Sequence, residues 1–421
     1  GEKKMKEYKL YGSPMSLYTG RVRSYLIKNR IPYVEEPHAT SHYHKVVLPK
    51  AGGRRGIPTI EFPDGRVIRD GVAIVDHFES LNDNLHSPST VRQSAVSRLL
   101  DAIASEGLLR PCMHYRWNHD QSNREFLQFH FETIYKDHAN PTKMAADRMQ
   151  EIRENVNPAW GVVPETHDLI ESMHVALLTK LNQHFSKYPY FLGSKPCIAD
   201  FGMMAPMYGH LGRDPKPLAL MQEYAVRVFR WTERMNRPEP DFGEFEFEKE
   251  EYLSNDEVPE TLIEILRHFA VDFVPETNAA CHAINKWLQE NPSVESGQEA
   301  QRFLTMCHFE VDGVQISSVA QPFRFYLLAR LQRIYEDADE SEQNSILNLL
   351  KSCDMNSLLD MKLTRLLRCK KPRSLGLSDN ETGMSPSRLC YLNAGRPLIY
   401  ERLIDRSNGL LYLDLICRRR I

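Results

Sequence analysis

Hydroxyl groups crowd one short stretch near the start of the chain. Ser13, Ser16 and Tyr18 lie between a strand-like segment, Tyr8-Lys9-Leu10-Tyr11, and a helix that opens at Arg21-Val22-Arg23. A hydroxyl at a helix N-terminus can donate to an anion, and the helix dipole adds positive potential there. The same serines can equally serve as ordinary caps. Two other junctions carry polar chemistry. Ile57-Pro58 is an X-Pro bond, which admits the cis form at modest cost, and Asp70-Gly71 sets a carboxylate where another helix begins.

The elements around these residues alternate. Tyr8–Tyr11 reads as a strand that ends at Gly12-Ser13-Pro14, and Val22, Tyr25 and Leu26 mark one face of a helix from about 20 to 29. Pro32 closes that helix and Ile31-Pro32-Tyr33-Val34 starts a second strand. Pro58–Phe62 and Arg66–Arg69 flank Pro63-Asp64-Gly65, and Asp-Gly between two apolar runs predicts a hairpin. A helix carrying Val72, Ile74, Val75 and Phe78 follows. The order is βαβ and then ββα, a small α/β domain with a mixed sheet.

From about 88 to 237 the pattern is helical throughout. Residues 237–260 hold ten acidic side chains, two basic ones and three prolines, which predicts an exposed acidic linker. Its Phe242–Phe247 alternation is compatible with an edge strand. Further on, helices are expected over 260–273, 278–290, 322–337 and 341–367, with a hairpin at Phe309–Ile316 turning at Asp312-Gly313. The last fifty residues show weak periodicity.

Composition narrows the function classes. The 421 residues predict two or three domains, and 42% hydrophobic with 26% charged residues is the balance of a globular chain. A net charge of −3 argues against a nucleic-acid binder held by a basic face. No apolar run approaches the length of a membrane span, and no apolar signal region follows Gly1-Glu2-Lys3-Lys4. The eight cysteines are scattered, with neither a C-x-x-C pair nor zinc-type spacing. We therefore expect a cytoplasmic protein with reduced thiols, no metal, no nucleic-acid partner and no membrane partner.

The order βαβ–ββα, with Gly56-Ile57-Pro58-Thr59-Ile60 before the hairpin, resembles the N-terminal half of the glutathione transferase superfamily. Tyr190-Phe191-Leu192-Gly193-Ser194-Lys195-Pro196-Cys197-Ile198-Ala199-Asp200-Phe201 is similar to the helix-starting segment of that family's helical domain. The N-terminal motif resembles the serine-type, zeta- or tau-like members. The resemblance implies a thioredoxin-like domain at 6–82 and an all-α C-terminal domain at 88–236. The acidic linker 237–260, a mainly helical extension at 261–370 and a weakly structured tail at 371–421 follow.

The resemblance also implies roles. Ser16, five residues before Arg21, takes the place of the hydroxyl that donates to the glutathione sulfur, with Ser13 and Tyr18 as rivals and Tyr11 a weaker one. Pro58 is expected to be cis, leaving the backbone of Ile57 to pair with the cysteinyl unit. Asp70 is expected to hold the γ-glutamyl ammonium, with Gly71 where a hydroxyl residue is customary. Lys50, Arg54 or Arg55 would face the glycyl carboxylate. His114, Tyr115 and Trp117 fall near the electrophile pocket. No cysteine occurs before Cys112, so thiol-disulfide chemistry is not expected. The implied activity is attack of a glutathione thiolate on a small electrophile, by a homodimer with glutathione as cosubstrate. The competing reading is a non-catalytic scaffold of the same fold.

Other residues read as structural. Cys197 is a poor oxygen substitute at the cap of its helix, although Asp200 can reach back to first-turn amides. His210 with Arg213-Asp214 reads as a cap and ion pair. The Leu327, Leu328, Leu331 and Ile334 stripe of the extension must be buried against something: the helical domain, a second copy, or the substrate cleft as a lid. The segment Phe309–Tyr335 resembles extensions of some long bacterial members of the superfamily.

Overall fold

The computed structural model describes residues 7–294, 300–365, 367–370 and 389–391. Strand β1 (Tyr8–Gly12) and helix α1 (Leu17–Lys28) are followed by β2 (Tyr33–Pro37), the single turn α2 (Leu48–Lys50), β3 (Thr59–Glu61), β4 (Val67–Arg69) and α3 (Gly71–Leu81). The four strands form one sheet in the order β2-β1-β3-β4. Leu10 pairs with Glu35 of the parallel strand β2 and with Ile60 of the antiparallel strand β3, and Ile60 pairs with Ile68. This is the mixed sheet of a thioredoxin-like domain. The β3–β4 turn closes at Gly65, whose positive φ of 83° suits a residue without Cβ.

Helices α4 (Val91–Glu106), α5 (Leu109–Trp117), α6 (Asp120–Ile134), α7 (Pro141–Glu151), the short α8 (Asn157–Ala159), α9 (His167–His184), α10 (Ile198–Gly209), α11 (Pro215–Tyr224) and α12 (Val226–Met235) make the helical body. Asp200 is its internal cap: it accepts from Cys197 N at 2.9 Å and Trp231 Nε1 at 3.0 Å. Burial pushes its carboxyl up to about 6, against those hydrogen bonds. The Cys197 thiol makes no capping bond to a backbone amide but lies 3.3 Å from the same carboxylate.

The acidic segment after α12 is not a free linker. Glu244 and Asp241 pair with Arg230, Glu244 also pairs with Arg234, and Lys28 Nζ donates to Glu239 O at 2.7 Å. Ser194 and Gly193 hold the chain again at 249–252. Phe242–Phe247 forms turns rather than a strand, and its Glu244 is held by both Arg230 and Arg234 of α12.

The extension opens with α13 (Glu260–Glu290), one helix where two were expected. Pro275 lies inside it, and Thr277 Oγ1 donates to Phe273 O at 2.5 Å beside it. Strands β5 (Thr305–Val311) and β6 (Val314–Ala320) turn at Asp312 and Gly313, with φ of 49° and 79°, and extend beyond the predicted hairpin. Helix α14 (Pro322–Asp337) has the expected bounds. Helix α15 (Glu340–Ser352) ends well before the predicted 367, because Asp354 takes a positive φ of 60° and the chain turns away. Strands β7 (Arg368–Lys370) and β8 (Leu389–Tyr391) pair with each other. The rest of the expected 371–421 tail lies outside the described residues.

Leu99, Phe201, Phe273, Leu327 and Leu350 belong to a single buried apolar cluster, so the extension shares the core of the helical body. At its centre Glu276 pairs with Arg110 and Arg324, both at 2.9 Å, and all three side chains are buried. Arg330 of α14 pairs with Asp76 of α3, which ties the extension to the first domain.

Candidate functional site

Close packing of two glycines fixes where α1 begins. A Cβ on Gly20 would lie 2.7 Å from Met204 O, and one on Gly209 would lie 2.7 Å from Leu17 Cα and 3.0 Å from Ser16 O. Only bare backbone lets α1 and α10 approach this closely, and the approach holds the first turn of α1 in place. Ser16 caps that turn: its Oγ accepts from Thr19 N at a long 3.4 Å, leaving the hydroxyl proton for another acceptor.

Ser16 lies on the wall of a cavity of about 370 Å³ between the first domain, the helical body and the extension. Ser13 and Tyr18 line it as well. Ser13 Oγ is buried without a hydrogen-bond partner, whereas the Tyr18 hydroxyl donates to Ser105 O at 3.2 Å. Burial pushes the Tyr18 phenol well above its ordinary value, so it stays protonated. Tyr11 sits elsewhere, packed with Tyr43 and Val47 and donating to Glu61.

The Ile57-Pro58 bond is cis, and Ile57 lines the cavity. Pro58 is not on the wall itself; its carbonyl accepts from Asp70 N at 3.0 Å and so places Asp70 beside the same opening. Asp70 Oδ1 accepts from Val72 N at 2.8 Å and Ala73 N at 3.2 Å, the N-cap of α3. Burial raises its carboxyl, against the pull of the Ala73 and Val72 amides and of Arg21. A Cβ at Gly71 would make a tight contact with Tyr18 O at 3.3 Å.

Arg54 and Arg55 line the cavity and Lys50 does not. Lys50 Nζ donates to Gly65 O at 2.8 Å and braces the β3–β4 hairpin, which removes it from the expected glycyl contact. Trp117 lines the cavity together with Met113 and Arg116, at i, i+3 and i+4 of α5. His114 and Tyr115 lie off that stripe and turn to α9, where His114 Nε2 meets Glu171 Oε1 at 2.8 Å and Tyr115 packs on His174. The expected substrate-pocket role therefore finds only Trp117 on the wall. Asp214 pairs with Arg116, at 2.6 and 2.7 Å, rather than with its neighbour Arg213; Arg213 lies over the Tyr208 ring. His210 is buried on the cavity wall, with Nδ1 3.1 Å from Cys112 O.

Sequence reasoning missed Glu106. It is buried at the end of α4 and lines the cavity, with Oε2 lacking a partner. Burial pushes its carboxyl up to about 7, against the pull of Arg324 and Arg302. α4 carries Arg92, Gln93, Ser97 and Arg98 as well, so Asp101, Ser105 and Glu106 do not stand out in its sequence. Asp101 and Ser105 take the Arg21 guanidinium at 2.8 and 2.7 Å, which shows that this polar stripe faces inward. The extension also contributes walls that the sequence did not assign: Arg302, Gln321, Phe323 and Tyr326. Arg302 lies over the Tyr18 ring.

The cavity is therefore of two kinds. Seven arginines and two acidic residues line it, and three of the arginines (Arg21, Arg116 and Arg148) pair with Asp101, Asp214 and Glu151, which are not on the wall. Leu109, Trp117, Phe131, Ile134, Trp160 and Phe323 make the other side apolar. A polar end beside a helix N-terminus, joined to an apolar end, suits a charged cosubstrate and a greasy second one.

Residues 10–86 match the family described as Glutathione S-transferase, N-terminal domain. This domain belongs to the glutathione S-transferase superfamily, and the chain joins it to a helical body and an extension. Solved structures similar to the chain include a tau class glutathione S-transferase from mango, Mangifera indica, at 17% identity over 54% of this chain and 88% of that one, with a TM-score of 0.33. A glutathione S-transferase from Rhodospirillum rubrum matches at 16% identity over 61% and 99%, with a TM-score of 0.34. A rice glutathione S-transferase solved with glutathione matches at 15% identity over 57% and 92%, with a TM-score of 0.32. No curated protein matches the chain. No helix among the described residues is long and apolar enough to cross a membrane.

Proposed function

We propose that the chain is a glutathione transferase-like enzyme that activates the glutathione thiolate for attack on a small apolar electrophile. The observation that carries this reading is the convergence of Ser16, Ile57 and Asp70 on one cavity whose far side is apolar. In this reading the backbone of Ile57 pairs with the cysteinyl unit as a short added strand. Asp70 takes the γ-glutamyl ammonium, and Arg54 or Arg55 takes the glycyl carboxylate. The sulfur then lies at the first turn of α1, where the Ser16 hydroxyl donates to it and the helix N-terminus favours its negative charge. A positioned, ionised sulfur supplies the rate, through proximity and electrostatic stabilisation. Conjugation, isomerisation and dehalogenation all begin this way. The test is calorimetric titration with glutathione on wild type and Ser16→Ala, with the ultraviolet thiolate band followed in parallel.

A cytoplasmic setting belongs to the same proposal, supported by five described cysteines that are buried and unpaired. Assembly as a homodimer belongs to it as well. A second reading, a non-catalytic scaffold, is favoured by one feature. Asp70 already spends Oδ1 on two cap amides, and Gly71 offers no hydroxyl to supplement it. The same titration separates the two, since a scaffold would not bind glutathione.

A further inference from the structure

On the face of α5 turned away from the cavity, three donor side chains from three helices meet. His114 lies in the last turn of α5, His119 caps α6, and Glu171 lies in the first turns of α9. Their ligand atoms all fall within 4.8 Å of one another. His119 Nε2 is 3.4 Å from Glu171 Oε1, and His114 Nε2 is 2.8 Å from the same oxygen. A tetrahedral ion with bonds of about 2.1 Å sets its ligand atoms about 3.4 Å apart, so small side-chain rotations admit one. His119 Nε2 is buried and makes no well-formed hydrogen bond, so its lone pair is not committed to the protein.

We propose that His114, His119 and Glu171 form a binding site for zinc, with water in the fourth position. Two imidazoles and one carboxylate suit zinc and its neighbours rather than magnesium or calcium, which take oxygen ligands. Supporting groups are in place. A metal on Nε2 of His114 requires a proton on Nδ1 and an acceptor for it, and the Asn118 side-chain amide lies 3.0 Å from Nδ1. Turned by half a rotation, that amide presents its oxygen there. The same amide lies 3.1 Å from His167 Nε2, so a third imidazole borders the site through Asn118. His119 is stacked on Tyr115, which fixes its ring plane. Glu171 is 45% exposed, which leaves a path for the ion and its water. A bound ion would pin α5 and α6 to α9 directly behind the Trp117 wall of the cavity.

The test uses the whole chain, stripped with a chelator and titrated with zinc and with cobalt(II). One equivalent per chain is expected, with a visible cobalt spectrum of low-coordinate nitrogen and oxygen ligation. His119→Asn and Glu171→Gln should each weaken binding at least about tenfold, since loss of a supporting group alone costs this much. The double variant should lose the equivalent and the spectrum, while His282→Asn on α13 should keep both. Should His119→Asn fail to fold, Glu171→Gln at its half-exposed position decides alone. Absence of uptake by wild type would overturn the site. So would a double variant, or Glu171→Gln where it alone folds, that binds cobalt as wild type does.

Discussion

Arg324 of α14 donates to the backbone carbonyl of Glu106 at 3.2 Å, while the carboxyl of that same Glu106 faces the cavity. The guanidinium also donates to Thr277 Oγ1 at 2.9 Å and pairs with Glu276. The extension thus holds the end of α4 from behind. It supplies Phe323 and Tyr326 to the cavity from the same helix. The apolar stripe of α14 is buried on the helical body, and the start of that helix walls the cleft, so packing and cleft closure are one arrangement.

Glu106 gives a pH signature. Its carboxyl is pushed up to about 7 by burial, from an ordinary 4.5. Between those values the folded chain keeps a proton that the unfolded chain has lost, so this group's contribution to stability falls as pH rises through the window. Its full cost above the folded value is roughly 3 kcal/mol. Glu106→Gln should therefore gain stability on wild type between about pH 5 and pH 8, measured by urea denaturation at both. Parallel behaviour of the two proteins would contradict the buried carboxyl.

His174 works in the opposite direction. Both ring nitrogens are buried without partners, and burial pushes the imidazole down to about 3. The unfolded chain takes up this proton below about pH 6.5 and the folded chain does not, so stability is lost as pH falls through that range. His174→Leu should flatten the acid limb of the stability curve while changing stability at pH 7 by less than about 1.5 kcal/mol. Denaturation midpoints at pH 5 and pH 7 check this.

Much of the first domain was legible because its signals are local. Asp64-Gly65 turns a hairpin, Pro32 ends a helix, and Asp70 caps one; each acts within a few residues of itself. The bounds of α14 were legible for the same reason. The unread parts depend on distant partners. Pro275 looks like a helix break, yet the packed neighbours of α13 carry the helix through it. Asp241 and Glu244 look solvated until Arg230 and Arg234 are brought to them. His114 and Trp117 are three residues apart, and only the placement of α9 decides which of them sees the cavity. Glu106 was unreadable because a lone acid at a helix end is ordinarily exposed.

The shared core predicts one unfolding transition. Glu276 is buried between Arg110 and Arg324, and these guanidiniums, acting against burial, hold its carboxyl down to about 2. Glu276→Gln leaves two buried cations short of a partner and should cost about 3–5 kcal/mol. Chemical denaturation followed by tryptophan fluorescence and by circular dichroism should give coincident curves in both proteins. Separate melting of the extension would contradict a common core.

Asp70 separates capping from binding. Asparagine is an equally good N-cap and has the same shape as the aspartate that holds the positive φ of 88° here. Asp70→Asn should thus keep stability within about 1 kcal/mol. Without a charge for the γ-glutamyl ammonium, its affinity for glutathione should fall at least tenfold. Unchanged affinity would remove Asp70 from the site.

The most direct measurement is calorimetric titration of wild type and Ser16→Ala with glutathione, with the ultraviolet thiolate band recorded at neutral pH. Wild type should bind and show the band. Ser16→Ala should bind within a few-fold of wild type and lose it. No binding to wild type would contradict the enzyme, and an undiminished band in Ser16→Ala would contradict activation of the sulfur by Ser16.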